Sequence, residues 1–381
     1  MRVSWIILGI FFYSSCKQGT HKDASDRNEK RSTGKTHIKY AHGFSIDEYE
    51  HFRLVTILNP EADRTDTLRY LLLKEGQPVP EGFSKAQVIR TPVKTIIGTS
   101  SMHIAQADFA GVADRIIGLG NLHYVNSPIV RQNIKDGKCV QVGLEGTMNN
   151  ELILSMHPGV LIAMANPGAG FAKYKTLIDG GIPVLWNTEW LESTPLGRAE
   201  WVKLMGALVE KEEIVSKKFD SVEHTYDTLA QLARRAATRP RVIIGMPFKG
   251  SWYVPAGGSY MGRFLRDAGA GYKWSDTKGT GSIALNFESV APEALTADYW
   301  LNLGYIDKKG DIPGKDPRYA AFSPFKTDHL YNYNNRVNDI GGNDYWESGG
   351  VNPQIVLADM IRILHPELLP DHVLYYYNQL K

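Results

Sequence analysis

Cysteine is nearly missing from this chain: Cys16 and Cys139 are the two in 381 residues. With Cys16 in a leader, no intrachain disulfide is available, and stability must come from packing. Lone Cys139 reads as a small buried apolar residue rather than a nucleophile. An excess of one charge is also missing, since 43 Lys and Arg face 41 Asp and Glu. No global field therefore points to nucleic acid or to an anionic surface. The 11 histidines are scattered, and no pair has the spacing of a zinc site. Long hydrophobic runs are absent too. After the first sixteen residues nothing approaches the roughly 20 apolar residues that a membrane-spanning helix needs.

What is present begins with MRVSWIILGIFFYSSC. Arg2 precedes an apolar run over 3–13, then two small residues and Cys16. The run is too short to span a bilayer but fits the hydrophobic region of a secretory signal. Small residues directly before Cys16 imply cleavage there and lipid attachment to the new N-terminal cysteine. The other reading is an ordinary signal peptide cleaved nearby, with Cys16 incidental. Residues 17–37 hold no large apolar side chain and many charges, and are expected to form a disordered tether.

Structure is expected from Ile38 onward. Apolar runs at 54–58 and 68–73 flank a polar segment and predict a hairpin. Strands are expected at 93–98, 160–164, 184–186, 242–246 and 299–303. Helices are expected at 102–110, 148–156, 170–179, 259–267 and 353–364. This alternation indicates parallel sheets with helices on both faces. Between the two α/β halves, Val215, Phe219, Val222, Tyr226, Leu229, Ala233 and Ala236 recur at spacings of four and three. They form one apolar stripe on a helix over 211–237. A coiled coil would show the same stripe, but a single helix packed across both lobes is the better reading. The expected fold is α/β: two Rossmann-like lobes joined by one long linking helix, with a ligand cleft between them. The expected units are a leader over 1–16, a tether over 17–37, lobes over 38–195 and 240–381, and a helical linker over 196–239.

Several motifs look catalytic and fail. Gly269-Ala270-Gly271 has Trp274 where a dinucleotide fingerprint needs glycine, and no Gly-Lys-Ser/Thr completes a phosphate loop after Gly168. Gly257-Gly258-Ser259-Tyr260-Met261 ends in methionine instead of the closing glycine of a nucleophile elbow. Ser100, Ser101 and His103 lie within one turn, without an aspartate to orient them. No catalytic residue and no metal ligand is assigned, and enzymatic activity is not expected. Aromatic side chains instead gather after predicted strand ends, where open α/β sheets bind ligands. Trp186, Trp190 and the 166–171 loop represent the first half, and Phe248, Trp252, Tyr253 and Tyr260 the second. Arg336, in the aromatic-rich stretch 331–346, is placed to meet an anionic ligand. Alternatively, these rings seal loop ends.

The leader, the two lobes and the linking helix together resemble the substrate-binding lipoproteins of ABC importers for iron–siderophore complexes and cobalamin. The resemblance covers about residues 50–370. It is most specific in VGLEGTMNNELILSMHPGVLIAM at 142–164 and NFESVAPEALTADYWLNL at 286–303. PLGRAE at 195–200 and GNDYWE at 342–347 resemble members from Bacteroidetes-type bacteria. The resemblance implies a periplasmic, lipid-anchored monomer that binds a metal chelate, a ferric siderophore or a corrinoid, and delivers it to an ABC permease dimer. It requires no cofactor of its own. By motif position it also implies that Glu151 and Glu288 dock on the permease; either could instead be a helix-start charge stabilising the macrodipole. The rivals are a surface helper of an outer-membrane transporter and a secreted hydrolase or chelate-modifying enzyme using Ser100, Ser101 and His103.

Overall fold

The computed structural model describes residues 32–58, 67–80, 88–144, 146–164 and 171–381. The leader with Cys16, most of the tether and residues 166–170 of the strand-end loop lie outside them.

The chain opens with a five-stranded sheet: β1 (Gly34–Lys35), β2 (Phe44–Glu48), β3 (Phe52–Leu58), β4 (Thr67–Lys74) and β5 (Val88–Thr91), paired in that order. The expected hairpin is the antiparallel β3–β4 pair, with Leu54 opposite Leu71 and Ile57 opposite Leu68. Structure starts earlier than Ile38, however. Thr33 N–H donates to the Glu48 carbonyl at 2.8 Å and Thr36 N–H to that of Ile46 at 3.0 Å. The polar composition that signals a tether is that of an edge strand exposed on both faces.

The first lobe is built on a wholly parallel sheet of β6 (Ile96–Gly98), β7 (Ile116–Leu119), β8 (Val140–Gln141), β9 (Val160–Met164) and β10 (Val184–Asn187), in the order β10-β9-β6-β7-β8. The second lobe contains β11 (Val242–Ile244), β12 (Pro247–Phe248), β13 (Ser251–Pro255), β14 (Ser282–Leu285), β15 (Tyr299–Leu301), β16 (Leu330–Asn332) and β17 (Asn378–Gln379). Its main sheet runs β11-β15-β16-β17, parallel except for the last strand, while β12, β13 and β14 form a small antiparallel sheet.

One helix, Glu212–Arg234, joins the lobes; its 23 residues span about 35 Å. Val215 and Phe219 pack into the core shared with the N-terminal sheet, and Val222, Tyr226, Ala230 and Ala233 into that of the second lobe. The 3.6-residue period explains why Ala230, not half-buried Leu229, continues the stripe. The expected α/β fold of two lobes on one linking helix is therefore present.

Buried carboxylates pin the irregular chain between these elements. Glu200, fully buried, accepts the N–H groups of Lys39, Tyr40 and Ala41 at 2.6–3.0 Å and the Lys203 ammonium at 2.7 Å. Glu192 accepts the N–H of His42, the N–H of Gly43 and the Trp201 indole. Asp359 accepts the N–H groups of Tyr375, Tyr376 and Tyr377 and faces the His372 ring at 2.7 Å. Removing such an acceptor strands several buried donors at once. Glu200→Ala, which also leaves Lys203 as a lone buried cation, is expected to cost about 3–5 kcal/mol, read as a lower urea midpoint. A loss below about 1 kcal/mol would mean that water replaces the carboxylate.

Candidate functional site

Parallel strands deliver their following loops to one edge, so the ends of β6, β9, β10, β11, β15 and β16 direct the search. Exposed rings occur in and around these loops. Phe248 and Tyr253 are 62% and 49% exposed, Tyr305 projects fully into solvent, and Trp190, Tyr124 and Trp346 are each more than a third exposed. Two contacts bring the lobes together at this edge. Ser101 Oγ donates to the Trp346 carbonyl at 3.2 Å. Gly342 lies so close to the Tyr124 backbone that a Cβ there would approach its carbonyl oxygen to 2.8 Å. Tyr124 and Trp346 therefore stand where the two lobes meet.

The sequence-derived set divides on burial. Trp190 and Phe248 are accessible shortly after β10 and β11, and Tyr253 on the outer face of β13. Trp186 and Trp252 are not. Trp186 is packed in the first lobe's core with Val142, Ile153 and Leu177, its backbone N–H donating to Tyr70 Oη at 3.3 Å. Trp252 is fully buried, its indole donating to the Ile244 carbonyl at 2.9 Å and its ring packed against Trp300 and Tyr319. Strand alternation decides this: along β13, Trp252 faces in and Tyr253 out. Tyr260 is half-buried, edge-on to Phe264, with the Arg198 guanidinium 5.2 Å from its ring centre. Arg336 already has a partner: its Nε donates to Asp344 at 2.7 Å, and its guanidinium lies over Tyr375. It lines a groove between the lobes, with Asp108 and Arg131 of the first and Asp344 and Glu347 of the second. Tyr305, Tyr124 and Trp346 escape the sequence-derived set, although applying the strand-end rule to every strand finds Tyr305.

The Ser–His candidates are tied into the helix Ser101–Phe109. Ser100 Oγ caps it by accepting the Met102 N–H, and buried His103 accepts the Thr99 N–H at its Nδ1. Burial lowers the His103 pKa to about 3. A ring held inside in this way is out of reach of a substrate. Ser259, in the failed elbow, caps the helix Tyr260–Asp267 by accepting the Gly262 N–H. Buried Cys139 has its thiol pushed up to about 11 by desolvation, as expected of a packing residue.

Behind the rings runs a buried polar chain. Asn187 Nδ2 donates to Gln106 Oε1 at 3.0 Å, and the Glu189 N–H donates to Asn187 Oδ1 at 3.0 Å. Arg198 Nη2 reaches Glu189 Oε1 at 3.5 Å and spreads over Tyr260 of the other lobe. Burial pushes the Glu189 carboxyl up, with Arg198 pulling the other way.

Glu151 and Glu288 share a local geometry. Each is exposed in the first turn of a helix capped by an asparagine two residues earlier: Asn149 Oδ1 accepts the Leu152 N–H and Asn286 Oδ1 the Ser289 N–H. Arg318, stacked on Phe287, comes within 3.9 Å of Glu288.

Two α/β lobes, facing strand-end loops and a single connecting helix define a two-lobed solute-binding protein. Residues 105–336 match the periplasmic binding protein family, and the chain belongs to that family. The N-terminal five-stranded sheet lies outside the matched span. An uncharacterized lipoprotein of Methanocaldococcus jannaschii is 27% identical over 317 residues, covering 78% of this chain and 73% of the relative. Among solved structures, Helicobacter pylori CeuE with Ni(II) bound is similar with a TM-score of 0.57 at 17% identity, covering 75% of this chain and 88% of that one. The vitamin B12 binding protein BtuF of Vibrio cholerae is similar at 0.51 and 15% identity, covering 74% and 99%. The heme binding protein HutB of the same organism is similar at 0.53 and 16%, covering 69% and 98%.

The Glu189–Arg198 pair gives a direct test. Arg198→Ala leaves a buried lone carboxylate and is expected to cost about 3–5 kcal/mol at pH 7.5, while pairing Arg198→Met with Glu189→Gln recovers more than half of that loss. The single variant's deficit shrinks at pH 5, because the isolated carboxyl takes up a proton. Equal urea midpoints for the single and double variants would show the pair to be uncoupled.

Proposed function

We propose that the protein captures a metal chelate, a ferric siderophore or a corrinoid, in the interlobe cleft and passes it to an ABC permease dimer. It does so from the periplasm, held to a membrane by lipid on Cys16. The observation that carries this reading is the set of accessible rings on the two lobes of a chain that belongs to the periplasmic binding protein family. Large ligands with planar portions suit a cleft of stacking rings and few charges. The names of the similar Vibrio structures, for heme and vitamin B12, and the name of the lipoprotein relative support the same direction. In this reading Trp190, Phe248 and Tyr253, joined by Tyr124, Tyr305 and Trp346, contact the cargo. Glu151 and Glu288 meet arginines of the permease, and their matched placement at two exposed helix starts suits bidentate docking.

Intrinsic tryptophan fluorescence, titrated with cobalamin, cobinamide, haem and ferric siderophores, tests the cargo. Saturable submicromolar binding by one class, weakened at least tenfold by Trp346→Ala, is the expected result; silence across the panel would remove the chelate reading. Replacing Glu151 and Glu288 with alanine should leave that affinity within twofold while uptake falls. Undiminished uptake would end the docking role.

A further inference from the structure

The second lobe reaches across to the first through a strap, residues 336–347. Asn338 Nδ2 donates to the Val125 carbonyl at 2.9 Å and to Asn126 Oδ1 at 3.1 Å. Asp339 pairs with Arg131 at 2.6 Å. The strap ends on Glu347, whose two carboxylate oxygens accept the N–H groups of Asn126 at 2.8 Å and Ser127 at 2.7 Å. Arg131–Asp339 is a wet surface pair, and the Asn338 bonds do not titrate. Glu347 is different, being 2% exposed.

Its charged surroundings leave one acid without a cation. Asp344, on its own turn, is paired with Arg336, and Arg131, from the helix Pro128–Lys135, is engaged by Asp339. From the helix Ser101–Phe109 comes Asp108, which has no ion pair among the described residues and whose carboxylate is bonded by the Ser127 side chain. Ser127 is thus held by two acids, one from each lobe. The C-terminal segment adds Tyr375, which lines the groove, and Tyr376, whose hydroxyl meets Ser348 Oγ at 2.8 Å. A groove of about 610 Å³, lined by Asp108, Arg131, Arg336, Asp344, Glu347 and Tyr375, opens beside them and admits solvent protons.

We propose that Glu347, set against Asp108 across the lobe boundary, is a pH-sensitive latch. Protonated, it holds the strap on the 126–127 turn; ionised, it faces Asp108 and Asp344 inside a poorly hydrated seam, and the strap loosens. Burial, reinforced by Asp344 and Asp108, pushes the Glu347 carboxyl up to about 7 in spite of the two N–H donors. Burial raises Asp108 as well. Because the latched value lies above the free value of 4.5, latching takes up a proton. The latch is therefore fully favoured below 4.5 and loses ground as pH rises to about 7, by up to tenfold per pH unit. The device acts on the lobes themselves, whatever the cargo.

Hydrogen exchange at the Asn126 and Ser127 amides, divided by the intrinsic rate at each pH, reads the opening of the latch even when opening is rare. In the cargo-free full chain, their protection should fall at least tenfold between pH 5 and pH 8, while the β9 amides of Ile162 and Ala163 keep theirs. Glu347→Gln, a neutral isostere, should give protection that does not change with pH. Asp108→Asn, which removes one repelling charge, should move the fall to lower pH. Constant wild-type protection, or an undiminished fall in Glu347→Gln, would overturn the latch. Should Glu347→Gln fail to fold, Asp108→Asn decides: a fall at unchanged pH would overturn it.

Discussion

Buried carboxylates gripping runs of backbone N–H groups hold this molecule together where helices and sheets do not. Irregular chain that passes through an interior must place every N–H on an acceptor. Here one anionic side chain serves several at a time. Glu200 and Glu192 between them take five consecutive N–H groups, Lys39 to Gly43, and so attach the N-terminal sheet to the helices between the lobes. Asp359 does the same for Tyr375 to Tyr377 and brings the C-terminal strand β17 against β16. Desolvating a carboxylate is expensive, and only several charge-assisted bonds at short range offset it. Such a grip is therefore all or nothing, which gives irregular segments the definition of regular ones.

The connecting helix complements these grips. Its apolar stripe passes from one core to the next between Phe219 and Val222, so neither lobe can shift along it without exposing a large side chain. The strap ties the lobes at Asn126 and Ser127 while the helix ties them through both cores, so two separate connections resist motion between them.

How far the sequence discloses this depends on the kind of force involved. Dense apolar runs are legible to the residue: Val160–Met164 as a strand and Pro353–Leu364 as a helix, because burial on both faces leaves an uninterrupted signal. The long helix emerges from its period. Edge strand β1 does not, since exposure on both faces leaves it no pattern. Trp252 misleads because ring chemistry, weighed alone, ignores the alternation that turns it inward along β13, and Trp186 because its parallel strand β10 is buried on both faces. Glu347 cannot be recognised at all. Its importance comes from Asn126 and Ser127, some 220 positions away in the chain, and long-range pairing of an acid with backbone N–H groups leaves no mark on composition or spacing.

The N-terminal sheet also defines a mechanical path. Tension applied to the chain ahead of Ser32 enters at β1, a two-residue edge strand whose bonds give way in succession. Beyond it, the load meets the Glu200 grip on Lys39, Tyr40 and Ala41, where several bonds must break together. That anchorage sits on the helix Pro195–Glu200, between the lobes rather than on either one. A pull from the N-terminal side is thus met at the Glu200 grip, ahead of β2 and of both parallel sheets.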